Sequence, residues 1–263
     1  MTRVALRLEY VGTEYHGWQA QKSGVDTVQG YVERGLSKIA NHPVRVICAG
    51  RTDSGVHATH QIVHFDTEAS RPEISWILGT NANLPDSISV VWSGNVDSKF
   101  SARFSATSRR YCYYIRNSNI RSAIADQLLT RDHRHLDADA MHQAAQFLVG
   151  ENDFSSFRAS HCQSFSPVRN VTSVSVTRAG ELIKIDITAN AFLHHMVRNI
   201  AGVLMDVGAG VKPINWLAEL LAKKDRKQGS ITASPSGLFL VNVSYPAHFG
   251  LPESLSLPIF DRT

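Results

Sequence analysis

The sequence predicts an α+β protein of two similar halves. Two observations lead there: alternating apolar and polar segments are interspersed with helical patterns in the order β-α-β-β-α-β over the first half, and a comparable order of strands and helices returns in the second. No obvious residue-level repetition accompanies that return, so two similar α+β layers flanking a central cleft are expected. A chain of 263 residues is long enough for two such domains. The expected bounds are 1–106 and 107–246, followed by a tail at 247–263 without periodicity.

Val4, Leu6, Leu8 and Tyr10 alternate with Ala5, Arg7 and Glu9, the pattern of a strand with one buried face. A turn-rich loop, 12–23, leads to Asp26-Thr-Val-Gln29, which reads as a capping box for a helix carrying Val28, Val32, Leu36 and Ile39 as far as about Ala40. Strands are expected at 44–49, 61–66 and near 88–92, with a helix near 73–78. In the second half, a strand at 111–116 precedes a helix at about 137–149, stopped by Gly150. Strands at about 169–178 and 182–189 follow, joined through Ala179-Gly180. A helix from about His194 to Val207 turns Val197, Ile200, Ala201 and Leu204 inward, and another opens with Pro213 and carries Leu217, Leu220 and Leu221. Residues 223–237 read as a polar loop, and 238–245 as a final strand.

Composition points to a globular, cytoplasmic protein. Hydrophobic residues make up 43% and charged residues 19%, excluding a disordered or fibrous chain. Three cysteines, Cys48, Cys112 and Cys162, are too few and too widely spaced for a disulfide framework or a zinc site. No apolar run reaches the roughly 18 residues of a membrane span, and no export signal is read at the N-terminus. The net charge of +4 is compatible with nucleic acid or acidic metabolites alike, but its distribution is uneven. Residues 98–125 hold Lys99, Arg103, Arg109, Arg110, Arg116 and Arg121, and residues 154–180 hold Arg158, Arg169 and Arg178, with no acidic residue in either stretch.

The most informative segment is Gly50-Arg51-Thr52-Asp53-Ser54-Gly55-Val56-His57. Two glycines bracket an arginine and a carboxylate just after a strand, so a sharp turn can present Asp53 with a guanidinium nearby that favours the ionised form. Spacing alone fits an ordinary Asx turn better. Phe100 to Tyr114 interleaves arginines with aromatics, which suits phosphate and base contacts on single-stranded RNA and equally suits a solvated edge strand with core tyrosines. Arg198 falls at the border of its helix's apolar face. His194 and His195 are adjacent, and consecutive helical positions point about 100° apart, which argues against a shared metal. His57, His60 and His64 lack cysteine or carboxylate partners at ligand spacing and read as surface or packing residues. Walker, dinucleotide-binding, zinc-deaminase and nucleophile-elbow motifs are all missing from the sequence. A single strong carboxylate candidate also argues against glycoside hydrolysis.

Taken in order, Tyr10-Val-Gly-Thr-Glu-Tyr-His-Gly-Trp-Gln19, Thr27-Val-Gln-Gly30, the 50–58 segment, Phe100-Ser-Ala-Arg-Phe104, Arg109-Arg-Tyr111, Asp153-Phe154, Cys162-Gln-Ser164 and Phe192-Leu-His-His-Met-Val-Arg-Asn199 resemble the tRNA pseudouridine synthase A family, also called tRNA pseudouridine synthase I. The resemblance covers about residues 3–246. It implies conversion of uridine to pseudouridine at positions 38, 39 and 40 of the tRNA anticodon arm, with no cofactor and no metal. It also implies a homodimer, a largely antiparallel sheet shared by the two domains, helices on one side of it and a catalytic cleft. On matching positions, Asp53 is the catalytic aspartate and Tyr111 packs on the target base. Arg51 and Arg198 are basic residues of the cleft, Arg198 pairing with the aspartate, and Leu238 is an apolar wall beside the base. Phe100, Ser101, Ala102, Arg103 and Phe104, and His161, Cys162, Gln163, Ser164 and Phe165, match RNA-contacting stretches, and Arg109 and Arg110 are taken with them. Ser54 stands where the family more often has alanine, and Phe165-Ser166 lies in a variable loop. The competing readings are a non-catalytic RNA-binding module and a lyase or nucleosidase acting on small anionic substrates.

Overall fold

The fold is α+β: a computed structural model describes residues 1–160, 162–252 and 256–261, with ten strands and five α-helices among them. The chain divides into two compact units, residues 1–107 with 239–263, and residues 108–238. The second-half strand expected at 238–245 therefore belongs, from Phe239 onward, to the first unit, and so does the described part of the tail. Phe239 pairs in parallel with His57, and Phe260 packs edge-on against the Phe239 ring at 6.0 Å.

In the first unit, β1 (Thr2–Tyr10) lies between β3 (His57–Thr67) and β4 (Ile88–Val96), antiparallel to both. The short β2 (Ile47–Cys48) and β10 (Leu238–Ser244) also pair with β3, making the sheet mixed. Ala5, expected to point outward, is as buried as Val4 and Leu6. Its register partner His64 shows why: the His64 Nδ1 accepts the Ala102 N–H at 3.1 Å, so the 98–104 segment covers that face. Helix α1 (Val28–Ala40) begins one residue later than the expected box, with Thr27 as N-cap accepting from the Gly30 N–H at 3.3 Å. Gln29 instead reaches the preceding loop, accepting from Gln19 Nε2 at 2.7 Å and Ala20 N at 2.9 Å. Helix α2 (Glu73–Asn81) packs against α1 and β4.

In the second unit, β5 (Ser108–Asn117), β9 (Leu182–Ala189), β8 (Val168–Ala179) and β7 (Gly150–Asp153) pair antiparallel in that order, and β6 (Thr130–Asp132) adds to β5 in parallel. Helix α3 (Ala138–Ala145) is capped by Asp137 and tightens into a 3₁₀ turn before Gly150. Helix α4 (Met196–Gly208) buries Val197, Ile200, Ala201 and Leu204 as expected, and α5 (Trp216–Lys223) buries Leu217 and Leu220. No helix among the described residues is long and apolar enough to cross a membrane.

Candidate active site

In the first unit, residues 50–56 make the connection from β2 into β3. The Asp53 carbonyl accepts the Val56 N–H at 3.1 Å, and Gly55 takes φ 79°, which glycine adopts without strain. Asp53 is partly exposed, Arg51 is exposed and Thr52 is buried. The 12–18 loop lies directly on this turn. A Cβ at Gly17, itself at φ 84°, would come within 2.8 Å of the Thr52 carbonyl oxygen, and one at Gly12 within 1.9 Å of the Val56 oxygen. Trp18 donates its N–H to the Thr52 carbonyl at 3.0 Å, and the Ser54 hydroxyl donates to the Tyr15 carbonyl at 3.0 Å. His57, fully buried, accepts the Gly12 N–H at 2.9 Å and stacks on Phe239 with ring centroids 4.6 Å apart. Behind the turn, burial pushes the Cys48 thiol up to about 12 against the opposing influence of the Arg51 charge.

The 100–104 segment, also in the first unit, divides by burial. Phe100 and Ala102 are fully buried, Phe100 among His64, Tyr245 and Phe249, so their side chains hold the segment and do not offer an RNA-contacting surface. Arg103 and Phe104 are exposed, the guanidinium 5.1 Å from the ring centroid, and Ser101 is half-buried. Burial, reinforced by the Arg3 charge, lowers the His64 pKa to about 4 and keeps Nδ1 available to Ala102.

In the second unit, alternation along β5 puts Tyr111 and Tyr113 on one face and Arg110 on the other. Tyr111 is buried and meets Phe192 edge-on at 5.0 Å. The Tyr113 hydroxyl bonds Thr130 Oγ1 at 2.7 Å and donates to the Ser234 carbonyl at 2.9 Å, and burial raises its pKa. Arg198, half-buried on the first turn of α4, donates Nε to the Ala233 carbonyl at 2.9 Å, while Ala233 returns its N–H to the Arg198 carbonyl at 3.2 Å. Leu238 is buried and follows Gly237, where a Cβ would lie 2.4 Å from the Tyr114 carbonyl oxygen. The 223–237 segment, which the sequence shows only as a polar loop, thus reaches Tyr113 through Ser234 and Arg198 through Ala233. Arg110 forms a two-point ion pair with Asp186 at 2.6 and 2.8 Å. Arg109 donates to the Asn190 carbonyl at 2.9 Å.

His161 lies outside the described residues. Beyond it, Gln163 and Phe165 are exposed and Cys162 and Ser164 half-buried. Arg158 donates to the Cys162 and Ser164 carbonyls at 2.8 and 2.6 Å. Burial works against the Cys162 thiolate, yet the His194 and Ser164 N–H groups and the Arg158 charge outweigh it and lower its pKa. His195 is the N-cap of α4 at φ 62°, with its ring 4.0 Å from that of His194. The two histidines therefore do not occupy consecutive helical positions, and the angular argument against a shared ion loses its ground.

Over residues 8–105 and 144–246, the chain matches the family model described as tRNA pseudouridine synthase. The chain belongs to the tRNA pseudouridine synthase family. Relatives named tRNA pseudouridine synthase A from Shewanella sp. (strain MR-4) and Shewanella baltica are 56% identical, and one from Shewanella denitrificans is 55% identical, each over 258 residues covering 98% of both chains. A crystal structure of a Cbf5-Nop10-Gar1 complex aligns at TM-score 0.34 and 10% identity, over 90% of this chain and 58% of that one, too loosely to inform the fold. In this tRNA pseudouridine synthase chain, the Asp53 turn falls in the first matched stretch and Arg198 and Leu238 in the second. Arg109, Arg110 and Tyr111 fall between them.

Proposed function

We propose that this protein isomerises uridine to pseudouridine at positions 38, 39 and 40 of the tRNA anticodon stem-loop, without a cofactor, using Asp53 as its essential carboxylate. The observation that carries the reading is the match to tRNA pseudouridine synthase A proteins at 56% identity over 98% of the chain. The reaction breaks the C1′–N1 bond of uridine, turns the uracil and forms a C1′–C5 bond. N1 gains a proton and C5 loses one, so no electrons enter or leave. Such chemistry needs a charged group held still beside the sugar and base, and a partly exposed carboxylate on a turn tied down from several sides meets that need.

Within this reading, Tyr111 packs on the target base, Leu238 is an apolar wall, and Arg51 and Arg198 supply positive charge. Unstacking the target costs a few kcal/mol, which phosphate contacts and stacking on exposed aromatics such as Phe104 and Phe165 offset. The reading includes a homodimer and a cytoplasmic location. The cysteines are free, which fits a reducing compartment.

The test is to incubate purified protein, with no added cofactor, with tRNA tritiated at uracil C5, and to map the product by mass spectrometry. Tritium release accompanied by pseudouridine at positions 38 to 40 is the expected result. A folded protein that binds tRNA and releases none contradicts it.

A further inference from the structure

The turn that carries Asp53 is anchored from within the sheet by a side chain that the motif does not contain. Gln61, on β3, has no exposed surface. Its Nε2 donates to the Gly50 carbonyl at 2.6 Å and to the Tyr10 hydroxyl at 3.5 Å, and its Oε1 accepts the Gly50 N–H at 3.4 Å. The Tyr10 hydroxyl in turn bonds Thr52 Oγ1 at 2.8 Å. Gly50 and Thr52 stand on either side of Arg51, and Thr52 immediately precedes Asp53, so two strands of the sheet fix the backbone leading to the carboxylate.

A buried glutamine is costly unless its amide is satisfied, and a methionine or leucine fills a similar volume without that cost. Here both the carbonyl and the N–H of one residue are taken by one amide, which sets the orientation of that residue's backbone as well as its position. We infer that Gln61 is a positioning residue for Asp53, acting through Gly50 and, with Tyr10, through Thr52. The inference rests on the function proposed above and adds a residue to its machinery.

The same unit supplies a matched control. Asn81, at the end of α2, grips Val90 on β4 in the same two-point manner, accepting its N–H at 2.8 Å and donating to its carbonyl at 2.9 Å. Removing either amide deletes a comparable set of hydrogen bonds, but only Gln61 touches the Asp53 turn.

The experiment measures steady-state tritium release from tRNA labelled at uracil C5, with Tm, for wild type, Gln61→Met and Asn81→Ala. Gln61→Met is expected to lower kcat about 100-fold, the effect of a carboxylate displaced by about 1 Å, with KM for tRNA within about threefold of wild type. Asn81→Ala is expected to lower Tm while kcat stays within about threefold. If Gln61→Met does not fold, Tyr10→Phe carries the test, with kcat expected to fall about fivefold at unchanged KM. A Gln61→Met protein as active as wild type, an Asn81→Ala protein with an equal loss of kcat, or, where Tyr10→Phe carries the test, an unchanged kcat overturns the inference. None of these touches the proposed reaction, which fails if the wild-type protein itself releases no tritium.

Discussion

The turn at residues 50–56 and the loop at residues 162–167 are braced differently. In the turn, distant partners hold both backbone and side chains: Gln61 on the Gly50 backbone, Trp18 on the Thr52 carbonyl, Tyr10 on the Thr52 hydroxyl and the Tyr15 carbonyl on the Ser54 hydroxyl. Two glycines allow a neighbouring loop to lie within contact of its backbone. The 162–167 loop is braced mostly by neighbours in sequence, Arg158 on the carbonyls of Cys162 and Ser164 and Arg169 on Ser164 and Ser166, with His194 adding an N–H to Cys162 Sγ, and it carries a fully exposed Phe165. One segment fixes a carboxylate; the other offers a surface. Arginines of the two basic stretches also make internal ion pairs, Arg110 with Asp186 and Arg116 with Glu181 among them. The salt dependence of tRNA binding should therefore be shallower than a count of the basic residues implies.

If that contrast is right, substitutions in the two segments separate into different kinetic constants. The largest effect is expected from Gly17→Val, which forces a side chain toward the Thr52 oxygen and gives a Cβ-branched residue a positive φ. It should lower kcat for tritium release about 100-fold or more, and a fall in tRNA affinity without a fall in kcat would blur the distinction. Arg158→Ala and Phe165→Ala should raise KM for tRNA about three- to tenfold with kcat nearly unchanged, read from the same assay.

A smaller effect is expected on stability. His64 is held neutral with a pKa of about 4, below its ordinary 6.5. The stability this supplies is present above pH 6.5 and is lost as pH falls toward 4. Thermal melts should show Tm dropping across that window, and His64→Gln, which keeps an acceptor for the Ala102 N–H, should flatten the profile. The smallest change is expected for Ser54→Ala, which removes only the bond to the Tyr15 carbonyl and should leave kcat within about twofold.

Much of the fold is legible in the sequence where the pattern is long. The 169–178 and 182–189 strands and the helix ending at Ala40 lie within a few residues of their expected places. The expected 44–49 strand shrinks to Ile47–Cys48 because other partners take its N–H groups: Ser37 Oγ accepts from Val44 at 2.9 Å and Glu33 Oε1 from Val46 at 3.1 Å. β6 and β7 are short and polar, leaving no periodicity to read. The expected helix at 194 starts at Met196 because His195 adopts a left-handed cap, and the helix expected from Pro213 starts at Trp216 after a turn closed on the Pro213 carbonyl.

The candidate site divides in the same way. Residues contiguous in sequence, Arg51 and Asp53, are proposed from the motif that contains them. Gln61 and Tyr10 are not, because they meet the turn from 11 and 42 residues away, and a glutamine within an expected strand shows no partner in sequence. Nor does spacing reveal that Phe100 and Ala102 point inward while Arg103 and Phe104 point outward. The segment has no regular period, and the His64 bond to the Ala102 N–H helps to fix its seating.

The most direct measurement is single-turnover tritium release by Asp53→Asn at saturating tRNA, with tRNA affinity and Tm determined on the same preparation. The account predicts no detectable release, with affinity and Tm close to wild type. Release at a rate near that of wild type would contradict it, because the carboxylate on this turn would then not be the group on which the reaction depends.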